Sequence, residues 1–223
     1  MPLAPSPHLE GTTHAERLSR LTGLYAIAGG PDVVERAAAA IDGGARAVQI
    51  RWKEAAAGAV LDAARRVVAL ARGRALVVVN DRADLALLSG ADGVHVGDDD
   101  LPVAEARRLL GRDRLVGRTC RTLEEARRAL AEGADHVGFG PMFETTSKRL
   151  GVPPRPLSAL REVAAGLGAP VVAIAGITLD NIGDVAGTGA ACAAVIGDLF
   201  GRGEPRERAR LLAAAFEAGR SRR

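Results

Sequence analysis

Short apolar runs rich in Val and Ile alternate along the chain with longer Ala-, Leu- and Arg-rich stretches whose apolar residues recur at helical spacing. The runs are apolar almost throughout, which is typical of strands buried on both faces of a parallel sheet. The predicted strands are Gly23–Ala28, Ala45–Ile50, Ala75–Val79, Gly93–Val96, Leu115–Thr119, His136–Gly140, Val171–Ala175 and Cys192–Ile196. The predicted helices between them include Asp32–Asp42, Ala55–Ala71, Pro102–Leu110 and Leu123–Glu132.

This order of elements favours a single (β/α)8 TIM barrel with parallel strands, because the chain has 223 residues and such a barrel needs about 200 or more. The alternative is an open doubly wound sheet, which usually carries a G-x-G-x-x-G turn after its first strand. Only Gly29 and Gly30 follow the first strand here. No linker divides the chain, so we expect one catalytic domain over residues 21–219. It would lie between a flexible tail at 1–20 and a basic tail at 220–223.

Composition narrows the function classes. Hydrophobic residues make up 48% and aromatic residues 3%, so Ala, Val and Leu must fill a sizeable core. The net charge of +3 comes with no nucleic-acid-binding motif, so small phosphorylated substrates are the expected partners. Cys120 and Cys192 are predicted to be buried thiols. No apolar run reaches the ~20 residues of a membrane span, so a cytoplasmic protein is expected. The sequence leaves open whether it forms a homo-oligomer.

Polar side chains follow the second predicted strand, at the end where such barrels carry their chemistry. Gln49, Arg51 and Lys53 alternate along an extended segment, so their side chains are expected to point the same way. Two cations and an amide on one side suit an anionic ligand. The alternative is a strand end that is simply solvated.

Acidic residues follow the third and fourth predicted strands. Asp81 comes after the third strand, and three consecutive acids at 98–100 come after the fourth. Neighbouring carboxylates repel each other unless a cation lies near. Mg²⁺ takes one or two carboxylates and completes its shell with water and phosphate oxygens. Capping of the next helix, before Pro102, is the alternative for the run, but it explains Asp81 poorly.

The later strands end in small and hydroxyl-bearing residues. The Gly-led loop after the sixth strand carries Thr145–Lys148, which can wrap a phosphate, although loops of this composition are common. Gly176 follows the seventh strand, and Ile196 and Gly197 follow the eighth. Loops after these two strands form the phosphate site of many such barrels. Two anion sites and a metal site at one barrel mouth indicate a Mg²⁺-dependent enzyme that acts on phosphate or diphosphate substrates.

Five stretches resemble the thiamine phosphate synthase family in order and spacing, namely Gln49–Lys53, Asn80–Arg82, Ala91–Leu101, Gly138–Lys148 and Ala173–Ile177. The resemblance runs from about Leu24 to Phe200. It implies a transferase of thiamine biosynthesis, which joins an aminopyrimidine methyl diphosphate to a thiazole phosphate. In that reaction the diphosphate leaves, a pyrimidinyl-methyl cation forms, and the thiazole nitrogen captures the cation.

The resemblance also implies a role for each matching residue. Asp81 and Asp100 would carry Mg²⁺, and the loop Glu144–Pro156 would close over the substrates. The residues implied to be catalytic are Arg51, Lys53, Thr119 and Lys148. Those implied to bind the substrates are Gln49, Ile50, Arg51, Trp52, Lys53, Asn80, Thr119, Thr145, Thr146, Ser147, Lys148, Gly176, Ile196 and Gly197.

The chain departs from the family pattern at several of these positions. The family usually has Gln where Asp98 stands, Ser at Thr119, His at Arg121, Gly at Ala175 and Ser at Gly197. Thr119 keeps the hydroxyl. Asp98 would either repel the diphosphate or bind a second ion, and Arg121 would offset its charge. The number of bound metal ions therefore stays open, as does the question of whether the thiazole carries a carboxylate.

Two other interpretations remain from the sequence. The related thiazole tautomerases share the barrel and the thiazole phosphate pocket, but they lose the metal-binding acids and the loop lysine. This chain keeps both acids and Lys148, and it has Arg121 where those relatives often have His. A non-catalytic thiamine phosphate sensor is the other interpretation. His95 and His136, on predicted strands, are interpreted as structural residues with satisfied hydrogen bonds.

Overall fold

The computed structural model describes residues 12–145 and 151–222. Its strands are β1 Gly23–Ala28, β2 Ala47–Ile50, β3 Leu76–Asn80, β4 Gly93–Val96, β5 Leu115–Cys120, β6 His136–Phe139, β7 Val171–Ala173 and β8 Cys192–Val195. The strands pair in parallel in chain order, and β8 pairs with β1 to close the barrel. The predicted (β/α)8 barrel is therefore confirmed.

The helices surround the barrel. They are α1 His14–Ser19, α2 Val33–Asp42, α3 Ala57–Ala71, α4 Ala83–Ser89, α5 Val103–Leu110, α6 Leu123–Ala131, α7 Leu157–Gly166, α8 Ile182–Ala186, α9 Gly197–Phe200 and α10 Pro205–Arg220. The helices predicted from Asp32, Ala55 and Pro102 begin one, two and one residues later, since Asp32 and Pro102 are N-cap residues rather than the first helical ones. The helix predicted from Leu123 begins there. Within the described ranges, no helix is long and apolar enough to span a membrane.

Two layers of apolar side chains hold the barrel together. The larger layer fills the space between the strands and the helices and consists mostly of Ala, Val and Leu. The inner layer fills the barrel itself and is built around Tyr25, Leu76 and Leu115, as expected for a barrel whose interior is packed rather than open. Cys192 lies in the inner layer and Cys120 in the outer one, and both are free and buried, as predicted.

The seventh strand is shorter than predicted. It ends at Ala173 rather than Ala175, because Ala175 and Gly176 have φ values of 72° and 67°. Extended strand geometry cannot continue through this left-handed region. The chain therefore turns away from the barrel wall two residues early, at the mouth.

The predicted tail at 1–20 was wrong over its described end, where helix α1 closes the base of the barrel. Thr13 and Glu16 form a capping box, which starts the helix. Arg17 is buried, and its Nε lies 3.4 Å from Oδ1 of Asp92. Burial raises the pKa of Asp92 to about 6, despite the backbone N–H of Val77 that bonds it. At the other end of the chain, α10 extends one residue into the predicted basic tail.

Candidate active site

A cavity of about 650 Å³ opens at the C-terminal ends of the strands. It lies where the sequence placed the chemistry, and side chains from widely separated parts of the chain converge on it. The predicted site residues that line it are Gln49, Arg51, Lys53, Asn80, Asp81, Asp100, Thr119, Thr145, Gly176, Ile196 and Gly197.

Two other predicted residues do not line the cavity, and three lie outside the described residues. The alternation of side chains in β2 directs Ile50 into the outer core, where it is 1% exposed. Trp52 packs against the same core. The side chains of Ile50 and Trp52 therefore do not line the mouth, because only every second residue of this segment faces it. Their assignment to the substrates stays a prediction. Thr146, Ser147 and Lys148 lie outside the described residues.

The two acids assigned to the metal face each other across the ends of β3 and β4. Asp81 has a φ of 63°, and its backbone N–H donates to the carbonyl of His95 at 2.8 Å. Oδ2 of Asp100 accepts from the backbone N–H of Gly97 at 2.7 Å. The strained backbone of Asp81 is typical of a functional position. These bonds hold both carboxylates at the mouth.

Charge at this pair favours a bound cation. Burial raises the pKa of Asp100, and the neighbouring Asp81 carboxyl raises it further. Nζ of Lys53 lies 2.9 Å from Oδ2 of Asp81. Two close carboxylates suit Mg²⁺, which needs only one or two of them. Residues 12–145 and 151–222 contain no cluster of three or more Cys, His, Asp or Glu that could hold a metal, so substrate and water would have to complete the shell.

The floor of the cavity is polar but uncharged. Nε2 of Gln49 donates to the hydroxyl of Tyr25 at 3.0 Å, and Gln49 is only 4% exposed. Burial raises the pKa of Tyr25, so its hydroxyl stays protonated. Nε2 of His95 shares a 2.9 Å hydrogen bond with Oγ1 of Thr119. Burial, followed by the charge of Arg118, lowers the pKa of His95 to about 4, so the ring is neutral at pH 7.

His136 lies behind His95, inside the barrel. The two ring centroids are 5.8 Å apart, and burial lowers the pKa of His136 to about 3. Gly117 makes room for the ring, since a Cβ there would lie 2.2 Å from Nε2 of His136. Neither ring nitrogen has a hydrogen-bond partner in the part of the chain described. The expectation of satisfied hydrogen bonds holds for His95 and was wrong for His136.

A charged cluster stands at the rim beside Asp100. Oδ1 of Asp98 lies 2.8 Å from Nη2 of Arg118, and its Oδ2 lies 2.5 Å from Nη1 of Arg121. The Arg121 guanidinium, with help from Arg118, holds the pKa of Asp98 below its usual value. The expected offset of Asp98 by Arg121 is therefore a direct contact.

The opposite side of the mouth is built from tightly packed backbone. A Cβ on Gly176 would lie 2.4 Å from the carbonyl oxygen of Glu144, so only glycine fits there. Nδ2 of Asn181 donates to the Gly176 carbonyl at 3.1 Å. Asp198 is bound by Arg208 at 2.7 Å and accepts from the backbone N–H of Leu179 at 3.2 Å. The loops after β7 and β8 are thereby fixed to each other and to α10.

Comparison with known proteins identifies the family. The family model for thiamine monophosphate synthase matches residues 24–199. The chain belongs to this family. The resemblance noted from the sequence is thus confirmed over the whole barrel.

Individual members of the family are similar along almost their full length. A thiamine-phosphate synthase of Anaeromyxobacter dehalogenans is 66% identical over 217 residues, which is 97% of this chain and 98% of that protein. One of Myxococcus xanthus is 50% identical over 84% of this chain and 87% of that protein. The structure of a thiamine phosphate pyrophosphorylase from Pyrococcus furiosus aligns with a TM-score of 0.83 and 33% identity, covering 91% of this chain and 98% of that one.

The sequence analysis assigned no substrate-binding role to several residues that line the cavity. They are Tyr25, His95, Arg121, Glu144, Asp198 and Arg202. Tyr25 sits within an apolar strand, where only the register of the alternation could have placed its hydroxyl inward. Arg202 lies beyond the last strand and carries no sequence signal.

Proposed function

We propose that the chain is a Mg²⁺-dependent thiamine phosphate synthase. It would condense 4-amino-2-methyl-5-(diphosphooxymethyl)pyrimidine with a thiazole phosphate to give thiamine phosphate and diphosphate. The observation that carries the proposal is the Asp81 and Asp100 pair beside Arg51 and Lys53, in a family member of full barrel length.

The diphosphate would bind at the ends of β2 to β5. Arg51 and Lys53 supply positive charge there, and Asp81 and Asp100 would hold Mg²⁺. The metal, when bound, would neutralise the charge that gathers on the diphosphate as it leaves. Nζ of Lys53 lies 2.9 Å from Oδ2 of Asp81. Its ammonium would therefore be within reach of a diphosphate oxygen bound beside Asp81 and Asp100.

The reaction would gain most from groups whose interactions strengthen as the C–O bond breaks. Negative charge develops on the leaving oxygen, so Arg51 and Lys53 stabilise the transition state more than the bound substrate. Lys148, which the family resemblance assigns to the departing charge, would add to this. A catalytic role for Thr119 follows from the same resemblance, through its hydroxyl.

The pyrimidinyl-methyl cation needs surroundings that do not repel it. Gln49, Tyr25 and His95 form a floor without net charge, because the pKa of His95 is lowered to about 4 and that of Tyr25 is raised. The hydrogen bond from Gln49 to Tyr25 fixes the amide that would orient the pyrimidine. Exclusion of water would protect the cation until the thiazole nitrogen captures it.

The thiazole phosphate would bind at the loops after β6, β7 and β8. Gly176, Ile196 and Gly197 would present backbone N–H groups to the phosphate, since the two glycines allow close approach. Thr145 lines this side of the cavity as well. Thr146 and Ser147 are carried over from the family pattern.

Product analysis tests the proposal. The full-length protein is incubated with Mg²⁺ and with each substrate alone or with both together, and thiamine phosphate and diphosphate are measured. Asp100→Ala should abolish turnover, whereas Asp99→Ala, an exposed neighbouring acid, should not.

The outcomes separate the alternatives. Both products are expected only when both substrates are present, and their absence with the unaltered protein refutes the proposal. Isomerisation of the thiazole without the pyrimidine would indicate a tautomerase. Binding of thiamine phosphate without turnover would indicate a sensor.

A further inference from the structure

The three-residue cluster of Asp98, Arg118 and Arg121 at the rim of the cavity holds one negative and two positive charges. The cluster joins neighbouring strands, because β4 and β5 pair with Val96 opposite Arg118. Each oxygen of Asp98 contacts a different guanidinium, at 2.8 and 2.5 Å. Asp98 is therefore engaged as an anchor for arginines, and it would have to release one of them to bind a second metal ion.

Arg121 is the member of the cluster that lines the cavity. Its backbone N–H donates to the carboxylate of Glu125 at 2.6 Å, which fixes the chain at the end of β5. Nη1 contacts Asp98, and the guanidinium makes no other hydrogen bond among the described residues. Because a guanidinium has five N–H donors, Arg121 keeps donors available on a side chain that is already held in place.

We propose that Arg121 is a further anion-binding residue for the diphosphate, and that Asp98 is its positioning residue. The inference rests on the proposed function, which places diphosphate at Asp81 and Asp100. Arg121 directly follows β5, next to the β4 end that carries Asp100, whereas Gly176 and Gly197 follow β7 and β8. The loop after β6, on the other side of β5, belongs to the proposed thiazole phosphate site. The contact of Arg121 with Asp98, which follows β4, ties its guanidinium to the diphosphate side instead.

The chemistry of the group supports this assignment. A planar guanidinium matches a phosphate with two parallel hydrogen bonds, and such charge-assisted bonds are about twice as strong as neutral ones. The cluster retains a net charge of +1 after Asp98 is counted. Asp98 therefore lowers the local positive charge but holds the remaining cation where the leaving group would need it.

Binding of inorganic pyrophosphate in the presence of Mg²⁺, measured by calorimetry on the full chain, tests Arg121 directly. Arg121→Ala should weaken this binding by about ten- to a hundredfold, the usual range for a lost charged hydrogen bond. Arg121→Gln, which keeps a donor but loses the charge, should weaken it as well. Arg210→Ala removes an exposed arginine of an i,i+3 ion pair on α10 and should bind as the parent does.

Asp98 is tested by the sign of its effect. If Asp98 acts only by repulsion, Asp98→Asn should tighten pyrophosphate binding. If Asp98 positions Arg121, Asp98→Asn should weaken binding. The Asp98 side chain is 44% exposed, so its repulsion of pyrophosphate is screened by solvent and the loss of positioning outweighs the loss of repulsion. In the Arg121→Ala background the same substitution should no longer weaken binding. Tighter binding in Asp98→Asn overturns the positioning role.

The result also separates this inference from the proposed function. The inference is overturned if Arg121→Ala or Arg121→Gln binds pyrophosphate as tightly as the parent and has an unchanged KM for the pyrimidine diphosphate. In that case, turnover by the parent would still support the proposed function. If the parent makes no thiamine phosphate, but both Arg121 variants bind pyrophosphate more weakly than the parent does, the proposed function is refuted and the assignment of Arg121 as an anion-binding residue is supported. No measurable binding of pyrophosphate to the parent overturns the inference.

Discussion

Replacing His136 by leucine should flatten the pH dependence of folding stability between about pH 4 and 6.5. His136 is fully buried, its ring nitrogens are unpaired among the described residues, and burial lowers its pKa from 6.5 to about 3. The unfolded chain takes up a proton on this residue near pH 6.5, and the native protein does not do so until about pH 3. The unfolded state therefore binds more protons in between, and stability falls as the pH falls.

The magnitude follows from linkage. One such group changes the free energy of unfolding by about 1.4 kcal/mol per pH unit within this window. Between pH 7.0 and 5.0 the loss is about 2 kcal/mol for His136 alone. Asp92 acts with the opposite sign over part of the window, because its pKa is raised to about 6 and its native form gains the proton first. Its contribution is common to parent and variant and cancels in the difference.

Urea denaturation followed by circular dichroism at pH 7.0, 6.0 and 5.0 provides the assay. The advantage of His136→Leu over the parent should grow by about 2 kcal/mol between pH 7.0 and 5.0. His136→Gln, which is polar but does not titrate, should show the same change with pH. Parallel stability curves for the parent and both variants would refute a neutral, buried His136.

Three further predictions concern the mouth and the base of the barrel. Gly176→Ala should destabilise the fold by about 2 kcal/mol or more and raise the KM for the thiazole phosphate, because a Cβ would meet backbone at 2.4 Å and φ is 67°. Ala175→Gly, one residue earlier with a φ of 72°, should instead stabilise the fold by about 1 kcal/mol. Thermal unfolding in which both variants change stability in the same direction would contradict the backbone argument. Arg17→Met should lower the free energy of unfolding by about 3–5 kcal/mol at pH 7, because Asp92 is then buried without its cation. This loss, measured by urea denaturation, should shrink at pH 5, where Asp92 is protonated. A loss that does not depend on pH would exclude this ion pair. Thr119→Val should lower kcat/KM by about tenfold through the lost hydroxyl, with Thr119→Ser close to the parent, and equal rates for both variants would remove the hydroxyl from the reaction.

Much of the barrel was predictable because its strands are buried on both faces. Such strands read as continuous apolar runs, and the polar residues that follow them mark the mouth. The alternation along β2 also predicted the common direction of Gln49, Arg51 and Lys53. The same alternation explains why Ile50 and Trp52, although inside the family motif, face the core.

Features that depend on strand register and on unusual backbone were not predictable. Asp98 meets Arg118 and Arg121, which lie 20 and 23 residues further along the chain, only because β4 and β5 pair in one particular register. The early end of β7 follows from the positive φ of Ala175, a conformation that alanine rarely adopts. Nothing in the sequence around His136 indicates that its ring would be buried without a hydrogen-bond partner among the described residues.

The dependence of product formation on the acid pair can be measured most directly by quantifying thiamine phosphate and diphosphate in one reaction. With both substrates and saturating Mg²⁺, the parent should form the two products in equal amounts. Asp100→Asn, or the parent in excess chelator, should form neither. Turnover by Asp100→Asn or by the chelator-treated parent at the full rate would contradict a metal-assisted condensation at Asp81 and Asp100, as would a parent that forms no thiamine phosphate.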